Sequence, residues 1–208
     1  MSVKVKICGI TNREDAQAAV AAGADLLGFV FCEDSPRHVT VAEAAAIAQL
    51  VPPQVVRVGL FVNAPEELVA EAMSGCGLQL LQFHGDETPE YCRQFGAMSM
   101  KAFRMKDAET LQHLREYPTD AWLLDAFVPG QRGGTGHTFN WELAVAAVKL
   151  GKPVFLAGGL TPENVAEAVH QVQPFGVDVS SGVEAAPGKK DHAKVRAFVQ
   201  AAKSAAGP

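Results

Sequence analysis

Four side chains able to move protons or hold anions stand at or just beyond the ends of short apolar runs: Cys8 after VKVKI, Arg37 in the loop after LLGFVF, His84 after LLQF and Asp125 after AWLL. A thiol and a carboxyl group are suitable partners for general-base and general-acid work on one carbon framework. An arginine suits a planar anion, because its guanidinium donates two parallel hydrogen bonds to a carboxylate or phosphate. Three glycine-rich stretches accompany them: Gly133, Gly134 and Gly136 in GGTG, Gly158 and Gly159 in AGGL, and Gly182 beside Ser181 in SSGVE. Such stretches let backbone N–H groups approach an anion closely, and a helix start behind them adds a favourable dipole.

Taken singly, each feature has a plainer reading. Cys8 can serve as a small buried hydrophobe, Asp125 as a loop cap, Arg37 as a solvated surface charge and the glycines as simple turns. The six histidines form no H-x-H or H-E-x-x-H, and the four cysteines (Cys8, Cys32, Cys76, Cys92) form no C-x-x-C pair. Neither a metal site nor a disulfide framework is therefore expected, and the thiols should be reduced.

The elements that would position these groups recur along the whole chain. Runs rich in apolar and β-branched residues lie at 3–7, 26–29, 55–61, 78–82, 99–103, 121–124, 154–157 and 176–179. Each is followed by a turn signal and a helix-like segment. Thr11 with Glu14 and Thr40 with Glu43 fit capping boxes, and Thr88-Pro89 and Thr161-Pro162 place proline at a first helical position. The runs are continuously apolar, as in VRVGLFV, which suits a parallel sheet buried on both faces. Eight such units predict a single-domain (β/α)8 TIM barrel over residues 1–208, lean at roughly 26 residues per unit beside the about 250 residues typical of the fold. The runner-up, an open doubly wound sheet, would be wide and lacks the glycine fingerprint after its first strand.

In such a barrel the active site is built on the carboxyl ends of the strands. Cys8, Arg37, Asn63, His84, Arg104 and Asp125 follow the first six runs in turn, and AGGL and SSGVE follow the seventh and eighth, where the fold's usual phosphate site lies. A thiol, a carboxylate, an arginine and glycine loops thus converge on one rim. The residues alone predict an enzyme acting on a phosphorylated small molecule, with the reaction left open.

Composition narrows the setting. With 208 residues, 48% hydrophobic and 20% charged, the chain is of ordinary globular make-up. A net charge of −5 without a basic cluster argues against nucleic-acid binding. No run approaches the roughly 20 apolar residues of a membrane span, and residues 1–6 lack a signal-peptide layout, so a cytoplasmic protein with no membrane partner is expected. Monomer and homodimer both stay open.

Eight motifs, in order and over the full length, resemble those of the phosphoribosylanthranilate isomerases: KICGIT (6–11), GFVF with SPR (28–31, 35–37), LQFHGDE (81–87), KAFR (101–104), LLDA (123–126), GGTGHTFNW (133–141), LAGGLTPENV (156–165) and GVDVSSGVE (176–184). The resemblance implies a (β/α)8 barrel that carries out, without cofactor or metal, the Amadori rearrangement of N-(5-phosphoribosyl)anthranilate in tryptophan biosynthesis. It implies Cys8 as general base, Asp125 as general acid and Arg37 as the binder of the anthranilate carboxylate. The sugar phosphate would rest on Gly158, Gly159, Ser181 and Gly182, with the loop of Gly134 and Gly136 closing over it. Phe83 stands where a smaller aliphatic is expected, and Cys32 and Glu33 have no evident task.

The chemistry sets requirements for the pair. An acid that protonates the ring oxygen must stay protonated above its usual pKa of about 4, and a thiol of pKa near 8.5 must be activated. Gln82, His84 and Asp178 are the candidates to support Cys8, and Asp178, within a strand and directed into the barrel, would need a partner. Competing readings are another phosphosugar isomerase of the same fold, the related indole-glycerol-phosphate synthase, and a barrel that binds a phosphorylated metabolite without catalysis. The synthase calls for a catalytic lysine, for which the strands offer Lys6 and Lys101.

Overall fold

A computed structural model of the chain describes residues 2–105, 107–125 and 141–205. Among these residues eight parallel strands close into a barrel in chain order. They are β1 (Lys4–Cys8), β2 (Leu26–Val30), β3 (Val56–Phe61), β4 (Leu80–Phe83), β5 (Ser99–Arg104), β6 (Ala121–Asp125), β7 (Val154–Ala157) and β8 (Gly176–Val179). Closure is made by β1, whose Lys6 pairs in register with Leu26 of β2 on one side and Asp178 of β8 on the other. The helices are α1 (Arg13–Ala22), α2 (Val41–Ala48), α3 (Glu66–Cys76), α4 (Pro89–Arg93), α5 (Ala108–Leu114), α6 (Trp141–Val148), α7 (Val165–Val172) and α8 (His192–Ala205). The predicted (β/α)8 architecture is thus observed, and the open sheet is excluded by the β1–β8 pairing.

Two separate apolar clusters show why the strands read as continuous runs. Leu26, Val58, Leu80, Met100, Leu123 and Phe155 fill the barrel's inside. The alternate residues, such as Val5, Ile7, Leu27, Phe29, Leu81 and Val177, join the larger cluster between barrel and helices. Successive strand residues point to opposite faces, so with both faces buried almost every position is apolar.

Local signals set the helix starts with two exceptions. Thr40 and Glu43 form the expected capping box of α2, and Thr88 caps α4 with proline in its first turn. At α1, however, the cap is Asn12, whose side chain accepts from the Asp15 N–H, while the Thr11 hydroxyl donates to the Gly188 carbonyl. Asn12 wins because it is as good a cap as threonine and stands one residue nearer the helix. At α7 the helix starts at Val165, beyond Thr161-Pro162, because Thr161 to Asn164 first close a turn through Asn164 Oδ1. A short 3-10 turn, Ser181–Val183, and a hairpin of β9 (Glu184–Ala186) and β10 (Lys189–Lys190), both unforeseen in outline, fill the link from β8 to α8.

Phe83 lies on the outward face of β4. It packs against Phe61, Tyr91 and Phe95 at centroid distances of 6.4, 5.6 and 5.7 Å, so its size is used by the shell beneath α4 and not by the barrel mouth.

Candidate active site

Side-chain alternation decides what reaches the carboxyl-terminal mouth of the barrel. Lys6 and Cys8 on β1, Gln82 on β4, Asp125 on β6 and Asp178 on β8 share the inward parity of the apolar inner layers. Above those layers lies a cavity of about 390 Å³, within the roughly 300–1,000 Å³ of small-molecule sites. Cys8, Arg37, Gln82, His84, Asp125, Gly158, Gly159, Asp178, Ser181 and Gly182 all line it. Gly134 and Gly136, also expected at the site, lie outside the described residues. A larger hollow of about 900 Å³, lined by Lys4, Pro153, Phe175 and neighbours at the opposite end, holds none of the predicted residues.

Asp125 ends β6 with about a third of its side chain exposed. His84 Nε2 lies 3.6 Å from Asp125 Oδ2, within ion-pair reach but beyond hydrogen-bond length. The other ring nitrogen, Nδ1, is 2.9 Å from Gln82 Nε2. With the Gln82 amide donating to Nδ1, the neutral ring carries its proton on Nε2, directed toward the carboxylate. Gln82 and His84, candidates to support the thiol, are bonded to each other, and His84 stands beside Asp125.

Cys8 is buried at 4% exposure on the opposing wall. Beside it stands Lys6, named from the sequence only as a lysine for the synthase reading. A Cβ placed on Gly28 would fall 2.8 Å from Cys8 Sγ and 3.1 Å from Lys6 Nζ, so both atoms border the space which that glycine leaves open. The ammonium donates to Asp178 Oδ1 at 2.9 Å, which supplies the partner that the strand carboxylate requires. Burial pulls the Lys6 pKa down, but Asp178 and the Cys8 sulfur outweigh it and hold it above the usual lysine value. Lys6 was legible as an i, i+2 neighbour of Cys8 on one strand face.

Arg37 is not a solvated charge. Its Nε and Nη2 donate to the two carboxylate oxygens of Glu184 at 2.7 and 2.6 Å, a bidentate pair that raises its pKa. Lys190, 3% exposed on β10, donates to the same carboxylate at 2.9 Å and to the Ser180 carbonyl at 3.2 Å. Burial opposes the charge of Glu184, but the bonds from Arg37 and Lys190 prevail and lower its pKa. For Lys190 burial prevails and its pKa falls. Lys190 parts from Arg37, which shares the same carboxylate, because it is almost wholly buried and desolvation outweighs its bond to Glu184. Glu184 and Lys190 escaped the sequence reading because the hairpin that carries them gives no period or motif of its own.

The glycine loops form the remaining wall. Gly158 and Gly159 take φ of +86° and +65°, which exposes the backbone between β7 and α7, and Asn164 Nδ2 donates to the Gly159 carbonyl at 3.0 Å. Gly182 packs so closely on this loop that a Cβ would overlap the Leu160 carbonyl oxygen. Two positions fall away from the site. Arg104 is exposed at the end of β5. Lys101 faces the helix layer, 3.3 Å from Glu87 and bonded to the Gly85 and Ala102 carbonyls at 2.7 and 3.1 Å. With Lys6 locked under Cys8, the described strands present no lysine of the kind the synthase reading requires. Cys32 lines the cavity.

The fold and the site define a (β/α)8 barrel of the enzyme type, with polar chemistry confined to the carboxyl ends of its strands. Residues 5–201 match the family model for N-(5'phosphoribosyl)anthranilate (PRA) isomerase. The chain is 56% identical over 203 residues to the N-(5'-phosphoribosyl)anthranilate isomerase of Trichlorobacter lovleyi, covering 98% of this chain and 99% of that one. It is 56% identical over 201 residues to the enzyme of the same name from Geobacter sulfurreducens, covering 97% and 98%. The crystal structure of phosphoribosyl anthranilate isomerase from Thermotoga maritima superposes with a TM-score of 0.90 at 42% identity, covering 97% and 99%. A phosphoribosyl anthranilate isomerase in complex with reduced 1-(o-carboxyphenylamino)-1-deoxyribulose 5-phosphate superposes at 0.86 with 40% identity and the same coverage. The chain belongs to the N-(5'-phosphoribosyl)anthranilate isomerase family.

Proposed function

We propose that this protein isomerises N-(5-phosphoribosyl)anthranilate to 1-(2-carboxyphenylamino)-1-deoxyribulose 5-phosphate, in the cytoplasm and as a step of tryptophan biosynthesis. The observation that carries the reading is the meeting of the Cys8 thiol, the Asp125 carboxyl and two glycine loops around one small-molecule cavity, in a chain 56% identical to isomerases of that name.

In this reading Asp125 donates a proton to the furanose ring oxygen, the ring opens, and the anomeric carbon becomes an iminium. His84, oriented by Gln82, steadies the carboxyl and later its carboxylate. Cys8, as thiolate, takes the proton from C2. The C–H electron pair becomes the C1–C2 double bond as the iminium nitrogen is neutralised, and the resulting enolamine tautomerises to the aminoketone. Arg37 holds the anthranilate carboxylate through Nη1, which has no partner among the described residues while Glu184 fixes Nε and Nη2. The phosphate rests on backbone donors of Gly158, Gly159, Ser181 and Gly182, in line with the fold's usual phosphate position.

The test follows the loss of anthranilate-type fluorescence with freshly generated substrate. Turnover by the native protein, with kcat reduced by about 10² to 10⁴ in Asp125→Asn and in Cys8→Ser at nearly unchanged KM, is expected for loss of a general acid or base. Full turnover by either variant removes that residue from its role, and no turnover by the native protein revives the reading of a non-catalytic binding barrel.

A further inference from the structure

The mechanism leaves Lys6, the cation that shares the Gly28 gap with Cys8, without a task. Lys6 is 0% exposed, the largest of the fully buried side chains, in a place where an ammonium without compensation is costly. Among the described residues its one oxygen partner is Asp178 Oδ1 at 2.9 Å, although an ammonium has three donors. The Cys8 sulfur borders the same small space as the ammonium, and its charge is one of the influences that raise the Lys6 pKa. That proximity depends on Gly28: its missing Cβ opens the space that both atoms border, at 3.1 Å for Nζ and 2.8 Å for Sγ.

We propose that Lys6 is a positioning residue for the base: kept protonated by Asp178, its ammonium stabilises the Cys8 thiolate and keeps the sulfur able to accept the C2 proton at neutral pH. The inference rests on Cys8 being the base. Lys6 neither gives nor takes a proton in the step; it lowers the energy of the charge that the sulfur carries before the step and loses during it.

Other charged groups face the sulfur from the surrounding elements. Arg37 from the loop after β2 and Lys190 from β10 feel its charge, but both are engaged by Glu184. Asp178 on β8 opposes the thiolate and is balanced by Lys6 itself. His84 just after β4 and Asp125 at the end of β6 line the cavity 3.6 Å apart. Lys6 differs from the other cations in sharing the Gly28 gap with the sulfur and in having its carboxylate partner on β8 and not in the Arg37–Glu184–Lys190 cluster.

The experiment measures alkylation of each cysteine by iodoacetamide as a function of pH, resolved by peptide mass spectrometry, in native protein and in Lys6→Met. Only thiolates react at an appreciable rate. Cys8 alkylation at neutral pH is expected to fall about tenfold in the variant, with its midpoint and the ascending limb of kcat/KM moved together to higher pH by about one unit. Burial pushes the Cys92 thiol up to about 12 and raises that of Cys76, so their continued protection reports an intact barrel. Should Lys6→Met fail to fold around an unpaired Asp178, the double variant Lys6→Met/Asp178→Asn removes both charges and should show a smaller shift in the same direction. An unchanged Cys8 midpoint in a folded variant, with Cys8→Ser inactive, overturns the role of Lys6 and leaves the base in place. Full turnover by Cys8→Ser overturns both.

Discussion

Gly182→Ala tests the proposed phosphate cradle at its tightest contact. The added Cβ would overlap the Leu160 carbonyl oxygen and lie 3.0 Å from the Leu160 carbonyl carbon and 3.2 Å from Val179 Cγ2. The first two are backbone atoms, so no rotamer change relieves the clash, and in a close-packed interior the loops after β7 and β8 must part by about 1 Å. Overpacking of this kind costs about 1–3 kcal/mol of stability. The same displacement pulls the Ser181–Gly182 donors away from those of Gly158 and Gly159, and a lost hydrogen bond to a charged group is worth about 1.5–3 kcal/mol, or roughly 10- to 150-fold in affinity. The expected result is a KM raised by that factor, with a much smaller change in kcat because Cys8 and Asp125 stand on β1 and β6. Steady-state fluorescence assays give both constants, and thermal unfolding gives the stability loss. Gly151→Ala is the control, since its Cβ would meet nothing within 4 Å, its cost is confined to its φ of +86°, and it does not line the cavity. A Gly182→Ala protein that loses stability but keeps its KM would refute the phosphate assignment, and one that keeps both would refute the packing argument itself.

Arg37→Ala is expected to raise KM by about 10-fold or more through loss of a charged hydrogen-bond donor, with kcat changed little; an unaltered KM would place the anthranilate carboxylate elsewhere. The lowered pKa of Glu184 means that its contribution to stability is fully present above the unfolded carboxyl value of about 4.3 and is lost as pH falls through the lower folded value. The stability gap between native protein and Glu184→Gln, read from urea unfolding, should therefore be constant near neutrality and close only on the acid side; a gap that closes toward alkali would contradict the pairing. Lys101→Met leaves Glu87 buried without its cation and should cost about 3–5 kcal/mol while leaving kcat and KM as they were, and a selective loss of kcat would bring Lys101 back to the chemistry.

The sequence made the barrel legible because each strand is buried on both faces and each βα junction carries a turn or cap signal. The errors were local: Asn12 and Thr11 compete for one cap, and Pro162 opens a turn that α7 continues only from Val165. Cys8, His84, Asp125 and the glycine loops could be placed at the mouth because a residue's distance along the strand determines which end of the barrel it occupies. The partners of these groups could not. The contact of His84 with Asp125 and with Gln82 depends on which strand ends meet at the mouth, which the sequence does not state. The pairing of Arg37 with Glu184 joins residues 147 apart in sequence, and no local pattern reports it.

Lys6 shows the same limit in a more consequential form. In sequence it is a polar interruption of an apolar strand, named only as one of the two strand lysines that a synthase could use. In the barrel its parity turns it inward, the register between β1 and β8 sets Asp178 opposite, and Gly28 on β2 removes the side chain that would otherwise fill the space. Three strands thus supply a cation, its counter-charge and its room, and none of the three residues suffices alone. Gly28→Ala should consequently displace Cys8 or Lys6 although it adds one methyl group and no charge. A barrel that builds its mouth from glycine loops and a paired acid would then have built its base in the same way, from a gap in one strand filled by the long side chain of another.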